Sequence, residues 1–596
     1  MEITRISSSD FTRIFDILAY QQNKYANANA LNSYSNGKWQ SFSIHHIKQK
    51  VDAISCYLIE TGFNKGDKVV FIPVIGSPEW MMVDFAFQQI GVVVVPVHPT
   101  SGAAEFELIL SETKPKCCIA ADKELQEKFR MIIQKQDLNI EIDYLSSYFQ
   151  RATEANVGEA LRDQLSLVKG TIQPTDLLAI MYTSGSSGVP KGVVLTHSNI
   201  IHNIKAVLTM LPLEPRQRII SFLPFSHILE RMACYSYMAF GVSLYFSQDK
   251  ENFLRDLKAV RPFLCTSVPR VLEKMYDYME EQSMQRNWLK RKLITWAMYV
   301  GKQYGEGGSS SIALSIKLII ARALVLRQWR KRLGGKIRYM IVGAAALRPE
   351  IGRMFSAAGI RVIEGYGMTE AAPLITINRF EPGMNRFGTV GMSIQGVDVM
   401  IDSPDENQEG EILVKGPNVT SGYFNRPELN AVAFTNDGWF RTGDVGKFVH
   451  QRFLKITDRK KDIFKTSAGK YIAPQPLESH FAESPFIERC LIIGFQRPFV
   501  TALIVPHFEF LEAWCQQESI HWTSPQFMIH NIKVLAKYQQ EIDQLNISLP
   551  NVEHVKGFAL CPDDWSIERG EMTNTLKPVR QKLMLTYESE IEKMYN

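Results

Sequence analysis

Over its first ~450 residues the chain alternates between helical and β-type segments. Ser43 to Gly62 carries apolar residues at helical spacing, and Lys68-Val69-Val70-Phe71-Ile72-Pro73 reads as a strand. Glu79 to Gln89 is helical again, and the β-branched run Val93 to Val97 reads as a buried parallel strand. Consecutive β-α-β units pack only with their helices laid over the sheet, so this order predicts an α/β fold of parallel or mixed sheets covered by helices.

At 596 residues the chain exceeds one hydrophobic core, so more than one domain is expected. The pattern changes at Thr457-Asp458-Arg459-Lys460-Lys461-Asp462, a charge run between apolar strands. We expect a large domain over residues 1–457 and a small α+β domain over 458–596, joined by a hinge. With 45% hydrophobic and 22% charged residues the balance is globular, and a net charge of +5 does not mark a nucleic-acid binder. The eight cysteines are scattered, with no CxxC pair and no histidine at metal-ligand spacing, and read as free thiols in a reducing compartment. The start, Met1-Glu2-Ile3-Thr4-Arg5, lacks the basic and apolar regions of a secretory signal. No uncharged apolar run reaches the ~18 residues that span a bilayer. A cytoplasmic protein is the expectation.

Five segments carry chemistry. Tyr182-Thr183-Ser184-Gly185-Ser186-Ser187-Gly188-Val189-Pro190-Lys191-Gly192 lies between two strands, Leu177 to Met181 and Val193 to Leu195. Such a loop turns backbone N–H groups and hydroxyls toward one point, which suits phosphate, and Lys191 adds a cation. It is not a Walker A loop, since Pro190 and Gly192 flank the lysine. Glu364-Gly365-Tyr366-Gly367-Met368-Thr369-Glu370 follows the strand Ile360 to Ile363 and reads as a strand-end loop. It offers a flat ring, a hydroxyl and an oxygen ligand of the type Mg²⁺ takes. Arg441-Thr442-Gly443-Asp444-Val445-Gly446 places a carboxylate in a glycine-flanked turn, able to accept two ribose hydroxyls or simply to cap its own backbone. Asp458 to Asp462 reads as a solvated face or as a hinge whose Arg459 reaches a ribose or phosphate. In Thr573-Asn574-Thr575-Leu576-Lys577-Pro578 the proline starts the next helix and leaves Lys577 exposed on a loop.

Taken together and in this order, the five segments resemble the AMP-forming adenylating superfamily of acyl-CoA synthetases, luciferases and peptide-synthetase adenylation domains. The resemblance covers nearly the whole chain. It implies that Thr183, Ser184, Gly185, Ser186, Ser187, Gly188 and Lys191 handle the β- and γ-phosphates of ATP. It implies that Gly343-Ala344-Ala345 and Gly365-Tyr366-Gly367 flank the adenine, Thr369 holds the α-phosphate, and Glu370 holds Mg²⁺. Asp444 and Arg459 are implied to hold the ribose, Asp458 to be the hinge, Lys577 to be the adenylation lysine and Gly469 to line the path of coenzyme A. Two departures stand out. The family's Gly-Gly-Ala-Pro-Leu is here Gly343-Ala344-Ala345-Ala346-Leu347, and its Pro-Thr before the lysine region is Asn574-Thr575.

Leu223-Pro224-Phe225-Ser226-His227-Ile228-Leu229-Glu230-Arg231 and Val268-Pro269-Arg270-Val271 are similar to long-chain acyl-CoA synthetases, as is the stretch Trp288 to Leu333 before Gly334-Gly335. His227 matches the aromatic position beside the reacting carboxylate, and a packed structural histidine is the alternative. The resemblance thus implies activation of a long-chain fatty acid with ATP and transfer to coenzyme A. An aryl or medium-chain acid, a carrier-protein acceptor, and a membrane-associated acyl- or nucleotide-binding protein without turnover remain open. Residues 286–338 hold thirteen Lys/Arg, a single acidic residue, Glu306, and interleaved aromatics. That pattern fits peripheral contact with the inner face of an anionic membrane, or helices with a basic face toward coenzyme A. No nucleic-acid motif accompanies it. No oligomeric state follows from the sequence.

Overall fold

The structure is a computed structural model describing residues 10–136, 139–155, 157–184, 189–247, 252–284, 288–305, 311–467, 470–573 and 577–595. Two compact units divide the chain. The first comprises Met1–Met400, Leu413–Arg441 and Phe448–Lys455, and the second Ile401–Ile412, Thr442–Lys447 and Ile456–Asn596.

The first unit is α/β, as the alternation predicts. Among the described residues a six-stranded sheet runs in the order Glu141–Tyr144, Cys117–Ala120, Lys68–Ile72, Val93–Pro96, Leu177–Ser184, Pro190–Thr196. All neighbours are parallel except the last pair, which is an antiparallel hairpin. A nine-stranded sheet contains Arg218–Ser221, Leu264–Ser267, Tyr339–Val342 and Arg361–Gly367, all parallel, so their carboxyl ends share one edge. Helix starts follow local chemistry: Ser43 caps Ile44–Glu60, accepting from the His46 N–H, and Ser77 caps Pro78–Gln89, accepting from the Trp80 N–H. Val70, Ile72, Val93, Val95 and Ile180 form the sheet side of one core, covered by Phe106 and Phe129.

Asp398–Asp402, Gly410–Lys415, Phe440–Val449 and Phe453–Arg459 form a four-stranded sheet in that order. The second unit is α+β. Its three-stranded sheet, Ile487–Ile493, Val500–Pro506 and Val555–Leu560, has one antiparallel and one parallel pairing. Alternate residues face opposite ways. Ile492, Ala502 and Ile504 pack on Leu511, Tyr538 and Ile542, while Leu491, Leu503 and Val505 pack on Trp565, Leu583 and Ile591. Among the described residues no helix is long and apolar enough to cross a membrane. The eight cysteines are free thiols.

Candidate active site

In the first unit the two flanks of the phosphate-type segment, Leu177–Ser184 and Pro190–Thr196, pair antiparallel. Thr183 pairs with Lys191 and Ser184 with Pro190, so the antiparallel register brings the lysine beside the last residues of the incoming strand. Gly185, Ser186, Ser187 and Gly188 lie outside the described residues. The Thr183 hydroxyl is buried and has no hydrogen-bond partner among the described residues. A ligand oxygen is one way to satisfy such a group.

Lys191 meets Glu370 from the other sheet. Its Nζ lies 3.4 Å from Glu370 Oε1 and donates to the Tyr423 hydroxyl at 2.5 Å. Tyr423 in turn donates to Glu370 Oε1 at 2.9 Å. Burial, then the Glu370 carboxylate, pushes the Tyr423 phenol up, so it remains a donor. Tyr423 reaches this point because residues 420–424 run beside the hairpin: the Phe424 N–H donates to the Gly192 carbonyl at 2.7 Å and the Val194 N–H to the Gly422 carbonyl at 3.1 Å. The Thr420 N–H also holds the Glu370 carbonyl at 2.7 Å. Sequence reasoning missed Tyr423. It missed equally the clamp behind the loop, where the Tyr182 hydroxyl donates to Glu112 at 2.7 Å and Arg426 pairs with that carboxylate. The signal available was Gly422-Tyr423-Phe424-Asn425-Arg426, an aromatic and a cation after a glycine.

The segment before Glu370 corrects an expectation. Gly365, Tyr366 and Gly367 belong to the strand Arg361–Gly367 rather than to a loop, and pair with the following strand, Leu374–Ile377. Gly367 is required there, since a Cβ would meet the Pro373 carbonyl oxygen at 1.9 Å. Tyr366 is buried. Thr369 and Glu370 form a single 3₁₀ turn immediately afterwards. Gly343-Ala344-Ala345 leaves the carboxyl end of the neighbouring parallel strand, with Val342 paired to Glu364, so the two predicted adenine segments lie side by side. Glu364 steadies the loop by accepting from the Leu347 N–H at 3.3 Å. Ala344 is left-handed, with φ +73°.

His227 follows the strand Arg218–Ser221 at the same sheet edge and caps the helix Ile228–Phe240, its Nδ1 accepting from the Leu229 N–H at 3.3 Å. The helix is anchored by a buried pair: Arg231 meets Asp84 at 2.5 Å, and Tyr235 also donates to that carboxylate. Thus Lys191, Glu370, His227, Ala344 and Tyr366 all lie where strands of the first unit end, the usual ligand edge of α/β sheets.

The second unit holds the other predicted residues. Asp444 is not in a turn but within the strand Phe440–Val449, after Gly443 at φ +73°. Its buried carboxylate sits 3.2 Å from Arg459 Nε, at the end of Phe453–Arg459. The charge run is not simply a solvated face. Asp458 is fully buried, accepting from its neighbour Arg459 N–H at 2.6 Å and from the Gln475 N–H at 3.3 Å. Burial pushes the Asp458 carboxyl up to about 6 against those two bonds. Lys577 is half-buried rather than exposed, and the next helix starts at Arg580 rather than Pro578. The Lys577 N–H donates to Thr573 Oγ1 at 3.0 Å and its carbonyl accepts from the Thr573 N–H at 2.8 Å. Burial, then the Arg459 cation, pushes the Lys577 ammonium down to about 8, while Asp444 and Asp462 pull it back. Lys577, Arg459 and Asp444 therefore share one electrostatic neighbourhood. Gly469, Asn574 and Thr575 lie outside the described residues.

A buried carboxylate beside a lysine and a phenol suits Mg²⁺, which takes one or two carboxylates together with phosphate oxygens and water. No group of three or more His, Cys, Asp or Glu able to cage a metal occurs among the described residues, and a Mg²⁺ held by Glu370 would take phosphate oxygens and water as its other ligands.

Comparison with known proteins bears on what this arrangement serves. Residues 18–424 match the AMP-binding enzyme family and residues 461–596 the AMP-binding enzyme C-terminal domain. The chain is 30% identical over 578 residues to the long-chain-fatty-acid–CoA ligase FadD15 of Mycobacterium tuberculosis (strain ATCC 25618 / H37Rv), covering 94% of this chain and 93% of that one. It is 29% identical to the peroxisomal long chain acyl-CoA synthetase 7 of Arabidopsis thaliana, over 97% and 84% of the two chains. Its fold is similar to the adenylation domain of a carboxylate reductase from Mycobacterium chelonae, with TM-score 0.74 at 21% identity over 100% and 92% of the chains. Matched over both halves, the chain belongs to the AMP-binding enzyme family.

Proposed function

We propose that this chain is an AMP-forming ligase that activates a long-chain fatty acid with ATP and transfers the acyl group to coenzyme A. The observation that carries the reading is the likeness, over nearly the whole chain, to relatives named as long-chain acid ligases. The grouping of Lys191, Tyr423 and Glu370 supports it chemically.

A carboxylate is a poor acyl donor because its leaving group would be oxide. Its oxygen attacks the α-phosphorus of ATP, the bond to the β-phosphate oxygen breaks, and diphosphate leaves. The thiolate of coenzyme A then attacks the acyl carbon, the bond to AMP breaks, and acyl-CoA forms. Both anions of the first step repel, so this chain supplies fixed positive charge. Lys191, with Thr183, Ser184, Gly185, Ser186, Ser187 and Gly188, holds the terminal phosphates. Thr369 holds the α-phosphate. Glu370 holds Mg²⁺, which when bound neutralises phosphate charge. Gly343, Ala344, Ala345, Gly365, Tyr366 and Gly367 flank the adenine, and His227 lies beside the acid. Asp444 and Arg459 take the ribose, and Lys577 bridges the carboxylate and the α-phosphate. Residues 1–457 and 458–596 act as two domains about Asp458, with Lys577 serving the first step and Gly469 the second. We place the enzyme in the cytoplasm, drawing its acid from the inner face of a membrane.

The test is diphosphate release by the purified protein with ATP, Mg²⁺ and acids from acetate to oleate, with and without coenzyme A. Release that needs a long-chain acid, with thioester formed only when coenzyme A is present, is the expected result. Release without thioester would redirect the reading to a carrier-protein acceptor, and no release with any acid would end it.

A further inference from the structure

The helix Ile312–Ala321 is apolar on two sides. Leu314, Leu318, Ala321 and Val325 recur at helical spacing and pack into the core of the first unit with Met298, Trp329 and Phe355. The other side meets no core: Ile312 is 82% exposed, Ile316 53%, Ile319 66%, Ile320 44% and Leu324 52%. These positions also recur at helical spacing, and the run stays helical through Arg322–Leu326 and Arg327–Arg332. Scattered exposed leucines and isoleucines are ordinary, but a stripe of five along one helix marks a surface that something covers.

Charge selects the occupant. Residues 288–305 and 311–338 contain twelve Lys/Arg and no Asp or Glu. Lys290, Arg291, Lys292, Lys317, Arg322 and Arg327 are all exposed. The helix Trp288–Lys302 packs against Ile312–Ala321 and adds exposed Trp288 and Leu289, with the Lys292 ammonium 5.2 Å from the Trp288 ring centre. A second copy of this face would set like charges against one another. An anionic bilayer satisfies both features, giving hydrocarbon to the stripe and phosphate to the cations.

We propose that this face is a reversible membrane-docking surface, with the Ile312–Leu324 stripe lying at the boundary of headgroups and acyl chains in an anionic bilayer. The inference extends the function proposed above by naming the surface through which the enzyme meets the membrane that supplies its acid. Lipid binding needs no turnover, so the two readings fail separately.

Flotation of the full chain with phosphatidylcholine vesicles, with and without phosphatidylglycerol, tests it. The chain floats with the anionic vesicles, less so at high salt, and stays behind with phosphatidylcholine alone. The double variant Ile316→Ser/Ile320→Ser changes exposed positions only and should weaken partitioning by about tenfold or more. The triple variant Lys290→Gln/Arg291→Gln/Lys292→Gln should weaken it and flatten its salt dependence, providing a second arm if the first variant melts early. A chain inactive in diphosphate release that still floats in this pattern upholds the docking surface. Equal flotation of parent and both variants, or no flotation of the parent, overturns it. So does a dimer in lipid-free solution that Ile316→Ser/Ile320→Ser dissociates.

Discussion

Ala344 holds φ at +73°, a conformation in which an L side chain crowds the following carbonyl. The family motif places glycine there, and the chain keeps the backbone shape while adding a methyl. Ala344→Gly should therefore raise stability by about 0.5–1 kcal/mol, the relieved crowding exceeding the extra freedom glycine gives the unfolded chain. A urea midpoint that stays put or falls would show that the loop relaxes around the alanine. Lys577 carries a sharper signature. Its ammonium is pushed down to about 8 by burial and by the Arg459 cation, so the unliganded protein loses that charge above about pH 8. The kcat/KM for diphosphate release should fall on that alkaline limb, because this quantity reports groups of the free enzyme. Lys577→Arg should move the fall upward in pH, and Lys577→Ala should lose about 10²–10³ in rate if the lysine acts as one preorganised donor. The stability sign is the reverse. A lysine with a depressed folded pKa disfavours folding below about pH 8, and that penalty fades as pH rises toward the unfolded value of 10.5.

At the scale of elements, the helix Ile228–Phe240 sits at the sheet edge with His227 at its head, and its alignment rests on Arg231 meeting Asp84 of the helix Pro78–Gln89. Both side chains are buried. Removing one partner leaves an uncompensated charge, so Asp84→Ala should destabilise by about 3–5 kcal/mol. Asp84→Ala/Arg231→Met should recover much of that loss, and failure of the double variant to recover would place the cost in packing rather than charge. The periodic elements were legible in the sequence because apolar spacing is local: Ile44–Glu60 and Lys68–Ile72 fall within a few residues of their predicted limits. Elements rich in glycine and polar residues were not. Gly365-Tyr366-Gly367 and Gly443-Asp444 look like turns until a pairing strand makes them extended. Tyr423 escaped for a related reason: Gly422-Tyr423-Phe424 marks an aromatic after a glycine, but Tyr423 lies 232 residues from Lys191 and 53 from Glu370, and that local pattern does not show a hydroxyl shared between them.

Across the whole molecule, one buried acid stands where the chain enters the C-terminal unit for good. Asp458 accepts the Arg459 and Gln475 N–H groups, and its carboxyl is pushed up to about 6, first by burial and further by the Asp462 and Glu478 carboxylates. The folded state thus holds this proton more tightly than the unfolded one between the ordinary carboxylate value and about 6. Stability from this site falls as pH rises through that window, and the full penalty stands above it. Asp458→Asn should raise the urea midpoint at pH 8 more than at pH 5, and the opposite ordering would mean that the two accepted hydrogen bonds outweigh burial. If Asp458 is the hinge between the two half-reactions, the same position divides them. A hinge concentrates large φ and ψ changes in a few residues. Proline fixes φ near −65°, so it permits one setting of the joint and forbids others. Asp458→Pro should then release diphosphate from ATP and oleate in a single turnover at near-parental rate, yet form oleoyl-CoA far more slowly. Comparison with Asp458→Ala separates backbone from side chain: Ala loses the accepted hydrogen bonds but keeps rotation, so it should weaken stability while sparing the ratio of the two steps. Equal loss of both steps in Asp458→Pro would assign the residue to the fold and remove it from the reaction cycle.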